Sequence, residues 1–148
     1  MKISGSHSLP LPQERAYQLL QDPEVLAKSM PGCEALEKIG ENEYRMKMKL
    51  VLASLAGNFD ARVKITDQMA PSSFRLLVEG WGRPGFLRGE GLLKLMPSGA
   101  GTEVSYDGDV QLGGTIAAVG QRLLDGTAKM LVKKFFESLS QAASDTRA

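Results

Sequence analysis

The sequence predicts an α+β fold, a strongly curved, seven-stranded antiparallel sheet wrapped around a long C-terminal helix. Six stretches between Ala35 and Leu112 alternate apolar and polar residues, the mark of strands with one dry and one wet face. From about Thr115 the apolar period changes from 2 to 3.6. The connections between the alternating stretches are short and rich in turn residues, which makes neighbouring strands antiparallel hairpins.

Residues 2–9 set Ile3, Gly5, His7 and Leu9 against Lys2, Ser4, Ser6 and Ser8, a first strand. Pro10-Leu11-Pro12 ends it. Pro12 suits the first turn of a helix whose dry face is Ala16, Leu19 and Leu20. Pro23 stops that helix by restricting Asp22. Asp22 then caps a second short helix, with Pro23 first and Glu24 near its positive end, running to about Ser29 before Met30-Pro31-Gly32 breaks it. Strands follow at about 34–39, 43–53, 58–68, 73–81, 87–96 and 102–112. Gly40-Glu41-Asn42, Ser54 to Gly57, Ala70-Pro71-Ser72 and Ser98-Gly99-Ala100-Gly101 supply the turns. The final helix, about 28 residues and near 40 Å long, presents Ile116, Val119, Leu123, Leu124, Leu131, Phe135 and Leu139 on one side. Its other side carries Arg122, Asp125, Lys129, Lys133 and Glu137, with Asp125 and Lys129 spaced i,i+4. The dry face of the sheet is where this apolar stripe can be buried. The order β-α-α-β-β-β-β-β-β-α is that of the helix-grip architecture, in one domain over residues 1–144 with a frayed tail at 145–148.

The dry face has a second property. Tyr44, Met46, Met48, Leu50 and Leu52 share it, as do Phe59, Ala61, Val63 and Ile65, and Phe74, Leu76, Val78 and Gly80. So do Leu87, Gly89, Gly91, Leu93 and Leu95, and Val104, Tyr106, Gly108, Val110 and Leu112. Glycine and alanine at inward positions leave volume that larger residues would fill, so the sheet curves around a hollow. The same glycines also let strands coil and bend. Both effects point to binding more than to chemistry.

Composition narrows the partners. The chain has 148 residues, with 18 basic side chains against 17 acidic ones, and no basic block or basic-aromatic stripe for nucleic acid. The single cysteine, Cys33, forms no internal disulfide and suits a reducing, cytoplasmic setting. The N-terminus has no apolar signal core, and no window approaches a transmembrane helix. Cys33 lacks a second Cys or His at metal spacing, so no metal is expected. Neither a phosphate-binding glycine loop nor a G-x-S-x-G elbow is present.

Several motifs together resemble the carbon monoxide dehydrogenase G-subunit (CoxG) family of the START-like, or SRPBCC, superfamily. They are Asp22-Pro23-Glu24, Met30-Pro31-Gly32-Cys33-Glu34, the glycine-rich run from Gly80 to Gly91, Thr102-Glu103-Val104-Ser105-Tyr106, the stretch Gly113-Gly114-Thr115-Ile116-Ala117-Ala118-Val119-Gly120-Gln121-Arg122, and Phe135-Phe136. The resemblance runs from residue 1 to about 142. It implies an accessory protein of a molybdenum hydroxylase, linked to membrane recruitment of that enzyme and to carrying a quinone. It also implies a peripheral contact with the inner face of the membrane. Many members carry an apolar C-terminal anchor, and the sequence ending at Ala148 shows none.

These readings select the candidate residues. Tyr44, Met46, Met48, Phe59, Val63, Phe74, Leu76, Gly89, Gly91, Tyr106, Leu123 and Thr127 are the expected walls of a cavity for an apolar small molecule, against the plainer reading of an ordinary packed core. Trp81, Arg83 and Phe86, on a loop of glycines and Pro84, are expected to gate the pocket or meet a partner or anionic headgroups. The plainer reading makes Trp81 and Phe86 a cap on the core. His7, the one histidine, sits in the inward phase of its strand with no nucleophile beside it; a hydrogen bond to a quinone carbonyl is its functional reading. Arg122 reads as a structural tie. The expected function is therefore a non-enzymatic carrier with no resident cofactor. The rivals are a protein–protein adaptor with a filled interior and a cyclase- or hydrolase-like enzyme.

Overall fold

A computed structural model describes residues 1–52, 55–83 and 85–146, and the side chains of these apart from those of residues 50–52, 55–56, 121 and 144–146. The elements are β1 (Lys2–Leu9), α1 (Gln13–Leu19), α2 (Pro23–Ser29), β2 (Cys33–Gly40), β3 (Glu43–Leu52), β4 (Leu55–Met69), β5 (Ser73–Gly82), β6 (Gly85–Ser98), β7 (Gly101–Gly113), a 3-10 turn (Gly114–Val119) and α3 (Gln121–Thr146). The seven strands form one antiparallel sheet in the order β1-β7-β6-β5-β4-β3-β2, so every neighbour except β1 and β7 is a sequential hairpin. This is the helix-grip arrangement that the alternating strands and the final helix predict.

Local chemistry places the ends. The Asp22 carboxylate accepts from the Glu24 backbone N–H at 2.9 Å, with Pro23 in the first turn of α2. Pro12 stands one position outside α1, in extended backbone, instead of within its first turn. Asn42 takes the left-handed conformation (φ 58°) that the tight β2–β3 turn needs.

The sequence reading is corrected at several places. The strands are longer than expected: β4 already pairs through Gly57 with Leu50 and through Leu55 with Leu52, so Gly57 is ladder and not turn. Ser54, the side chains of Leu50 and Leu52, Pro84 and the last two residues of the expected frayed tail lie outside the described residues. The final helix starts at Gln121, not at Thr115. Gly114 and Gly120 both have positive φ (77° and 106°), which an α-helix cannot contain, so the intervening residues close as a separate 3-10 turn. At its other end α3 continues to Thr146.

The core is divided. The largest cluster gathers Leu9, Leu11, Tyr17, Leu20, Phe74, Leu95, Val104, Phe136, Leu139 and Ala143 where α1 and the C-terminal half of α3 sit on the sheet. Phe74, Val104, Leu139 and Ala143 are fully buried, and each large apolar side chain so placed gains about 1.5–3 kcal/mol. Polar groups here are paired: the Tyr17 hydroxyl donates to the Ser73 carbonyl at 2.9 Å, and Thr102 Oγ1 donates to the Leu11 carbonyl at 2.7 Å. A second, small cluster (Phe59, Ile116, Leu124) closes the other end, and a third (Met46, Ala61, Val63) runs along β3 and β4.

Candidate functional site

Between the two end clusters the dry face is thinly covered. Leu76 and Val78 on β5, Leu87, Gly89 and Gly91 on β6, and Tyr106, Gly108 and Val110 on β7 all point inward, yet each is only half-buried. Leu124 of the second cluster and Phe135, which packs on the first, lie on one face of α3. Ala128 and Leu131 fall between them at i,i+4 and i,i+7 spacing from Leu124, and they too are half-buried. The helix therefore spans this middle region without sealing it.

Glycine makes the floor low. Gly91 pairs with Gly108 on one side and Leu76 on the other. A Cβ placed at Gly91 would meet only the Asp107 carbonyl oxygen at 3.6 Å and Gly108 Cα at 3.7 Å, ordinary contacts with nothing above them. At Gly89 the nearest atom would be Val110 Cγ2 at 3.3 Å. Val110 also lines an open pocket of about 490 Å³, together with Met1, Phe86, Leu112, Ala117 and Leu124. A second open pocket of about 610 Å³ lies along the start of α3, against Val119, Arg122, Leu123, Thr127 and Met130.

The expected wall residues separate into groups. Tyr44 and Phe74 belong to the large core cluster, Met46 and Val63 to the cluster along β3 and β4, and Phe59 to the end cluster; all five are buried among other side chains. Met48 bridges the latter two clusters. Leu76, Gly89, Gly91 and Tyr106 border the thinly covered middle. Leu123, 46% exposed, and Thr127 line the second pocket, on the side of α3 away from the Leu124–Phe135 stripe. Sequence periodicity gave the apolar positions but not which of them the helix covers.

The glycine-rich loop is a hairpin, not a free loop. β5 runs to Gly82 and β6 starts at Gly85, so Trp81 and Phe86 are direct cross-strand partners. The approach of Gly82 to the Asn58 carbonyl and of Gly113 to the Phe86 ring leaves no room for a side chain at either glycine. Trp81 is 42% and Phe86 53% exposed, with Arg83 exposed at the tip. These residues do not cap the core.

One constellation was only half legible in the sequence. His7 stacks on Phe136 with ring centroids 4.4 Å apart and planes 11° apart. Tyr106 lies nearly parallel to both, at 6.1 Å from His7 and 6.2 Å from Phe136. The inward phase of His7 and the Phe135-Phe136 pair were visible separately; their meeting depends on where α3 crosses β1. Burial pushes the His7 imidazole below its ordinary value, while the Glu137 carboxylate pulls the other way. Burial raises the Tyr106 phenol, partly offset by Lys129. Both groups are therefore uncharged at neutral pH. Burial also raises the Cys33 thiol, which donates to the Ala35 carbonyl at 3.5 Å, so it is not an activated nucleophile. Among the described residues no three His, Cys, Asp or Glu side chains gather as a metal site, no helix is long and apolar enough to cross a membrane, and no ion pair involves Arg122. Asp125 and Lys129 do pair, at 3.1 Å.

A half-open sheet-and-helix cleft with an uncharged aromatic group at one end is what comparison with known proteins must explain. Residues 5–144 match the family model for the carbon monoxide dehydrogenase G-subunit (CoxG). The chain belongs to the CoxG family. A conserved protein from Geobacillus kaustophilus is similar to this CoxG-family chain at 35% identity and a TM-score of 0.94, covering 99% of this chain and 97% of that one. A START superfamily protein from Mycobacterium smegmatis superposes with a TM-score of 0.74 at 12% identity, over 98% of each chain. An aromatase/cyclase from a Streptomyces species does so with a TM-score of 0.67 at 12% identity, over 100% of this chain and 96% of that one. The last two likenesses establish a shared START-like fold and no more. No curated protein matches the chain.

Proposed function

We propose that this CoxG-family protein is a non-enzymatic carrier of an apolar small molecule, held between the glycine-floored middle of the sheet and α3. The observation that supports it most is the run of half-buried inward residues, Leu76, Val78, Gly89, Gly91 and Gly108, lying between two packed ends of one core. Covering about 300 Å² of apolar ligand there gains about 7 kcal/mol before association costs, which suits reversible carriage. In the finer reading the ligand is a quinone and the client a molybdenum hydroxylase of the carbon monoxide dehydrogenase type, as the family's description suggests. A quinone is costly to expose to water, and a closed cleft moves it between bilayer and enzyme.

Short-tailed ubiquinone and menaquinone analogues should raise the melting temperature. At a hundredfold excess over Kd the gain is about 2.7 kcal/mol, or about 5–11 °C for a chain of this size. A flat titration, together with solvent extracts of the purified protein that hold no apolar molecule, would remove the carrier function. A second role as a contact for the client enzyme or for anionic headgroups is favoured by the exposed Trp81–Phe86 pair beside Arg83. Tryptophan emission that shifts with anionic liposomes or with client enzyme supports that role; emission unchanged by both counts against it.

A further inference from the structure

The middle of the cleft is apolar except at one end, where β1 and β7 bring His7 and Tyr106 together. The Tyr106 ring lies flat across Gly5, its cross-strand partner. A Cβ at Gly5 would stand 2.6 Å from the Tyr106 hydroxyl oxygen and 2.9 Å from the ring carbon bearing it. The missing side chain at residue 5 is therefore what allows the phenol its place. His7, two residues on along β1, is held by its stack on the buried Phe136.

Both polar groups are half-buried, and among the described residues neither the Tyr106 hydroxyl nor the His7 ring nitrogens has a hydrogen-bond partner in the protein. Nor is either sealed from solvent, because no fully buried, unpaired side-chain polar atom occurs among the described residues. The two groups thus face the cleft with unused hydrogen-bonding capacity. A neutral phenol donates one hydrogen bond, and a neutral imidazole donates one and accepts one. A wholly hydrocarbon ligand pressed against them would leave these capacities unmet, at a cost.

We infer that Tyr106 and His7 form a polar end wall that selects ligands carrying a carbonyl oxygen on an otherwise apolar body, with the Tyr106 hydroxyl as principal donor. Resting on the carrier function proposed above, this adds a criterion of choice. The carbonyl oxygen accepts from Tyr106 Oη, the apolar body lies over Gly91 and Gly108, and His7 supplies a second donor. Gly5 is the positioning residue, since any side chain there displaces the hydroxyl.

Two probes of nearly equal shape separate this from simple apolar binding: 2-acetylnaphthalene, which has the carbonyl, and 2-ethylnaphthalene, which lacks it. Affinities of both for the wild-type chain, Tyr106→Phe, His7→Phe and Gly5→Ala are measured by titration calorimetry or competition. The ketone-to-hydrocarbon affinity ratio should fall about two- to tenfold in Tyr106→Phe, the value of one hydrogen bond. It should fall also in Gly5→Ala, which keeps the hydroxyl but moves it, and by less in His7→Phe, which keeps the stack. The hydrocarbon itself should bind Tyr106→Phe as well as wild type. A ratio unchanged in Tyr106→Phe, or equal losses for both probes, overturns the selective wall while leaving the carrier intact. Failure of both probes to bind the wild-type chain overturns the carrier and the wall with it.

Discussion

Replacing Gly91 with leucine tests the cleft through the sign of a stability change. The Cβ finds only ordinary contacts, at 3.6 and 3.7 Å, so the backbone need not move. The rest of the side chain projects between the sheet and α3. If that region is open, about half of a leucine side chain becomes buried, a gain of about 1 kcal/mol. Removing a glycine from a strand interior adds about 0.5–1 kcal/mol. The sum, about 1.5–2 kcal/mol, raises the melting temperature by about 3–8 °C. Were the interior filled, the same leucine would overpack it, at a loss of about 1–3 kcal/mol. Differential scanning calorimetry reads the sign, and Gly91→Ala serves as the control for the glycine contribution alone. Affinity for an apolar probe should drop about tenfold or more, since the side chain takes its place. A fall in melting temperature with probe binding intact refutes the reasoning.

Thr102→Val removes the hydroxyl that donates to Leu11 at a fully buried site and should cost about 1–2 kcal/mol, read as a lower urea midpoint at constant slope; a midpoint equal to wild type contradicts it. Trp81→Ala, at a 42% exposed hairpin position, should cost no more than about 1 kcal/mol, whereas Phe74→Ala, fully buried, should cost about 3–5 kcal/mol; comparable losses would place Trp81 in the core. Burial holds the His7 imidazole below 6.5 in the folded chain, so the unfolded chain takes up that proton first. Stability from the neutral ring is complete above 6.5 and is lost as pH falls through the lower folded value. Melting temperature should accordingly drop more steeply between roughly pH 7 and pH 5 in wild type than in His7→Phe; parallel curves would show that this histidine does not contribute.

Alternation and turn chemistry made the sheet legible, because each inward position on β3 to β7 repeats every second residue whatever the tertiary context. The short helices were legible from Asp22-Pro23 and from Pro10 and Pro12. The start of α3 was misplaced because the apolar period runs on through Ile116 and Val119, while the two glycines that interrupt it act through backbone angles that periodicity does not register. The hairpin at Trp81 read as a loop for a related reason: glycines that look flexible in a sequence are, at Gly82 and Gly113, places where neighbouring groups come too close for a side chain. At the cleft, a bare floor at Gly89 and Gly91 could be read directly. Whether Phe74 or Leu76 would border it could not, since that depends on how far along the sheet α1 and α3 reach. The meeting of His7 with Phe136, 129 positions apart in the chain, lay beyond any local pattern.

The long helix is fastened unevenly. Phe136, Leu139 and Ala143 are locked into the main core, while Leu123 and Met130 stand half in solvent. Gly120 and Gly126 have no neighbouring atoms within 4 Å of where a Cβ would be. An interior glycine weakens a helix by about 1 kcal/mol, so the first three turns can unwind or lift while the last four stay seated. Amide hydrogens of α3 should then exchange in two classes, quickly from residue 121 to about 130 and close to the global unfolding rate beyond it. Guest molecules can enter by that local breathing, with the remainder of the protein undisturbed.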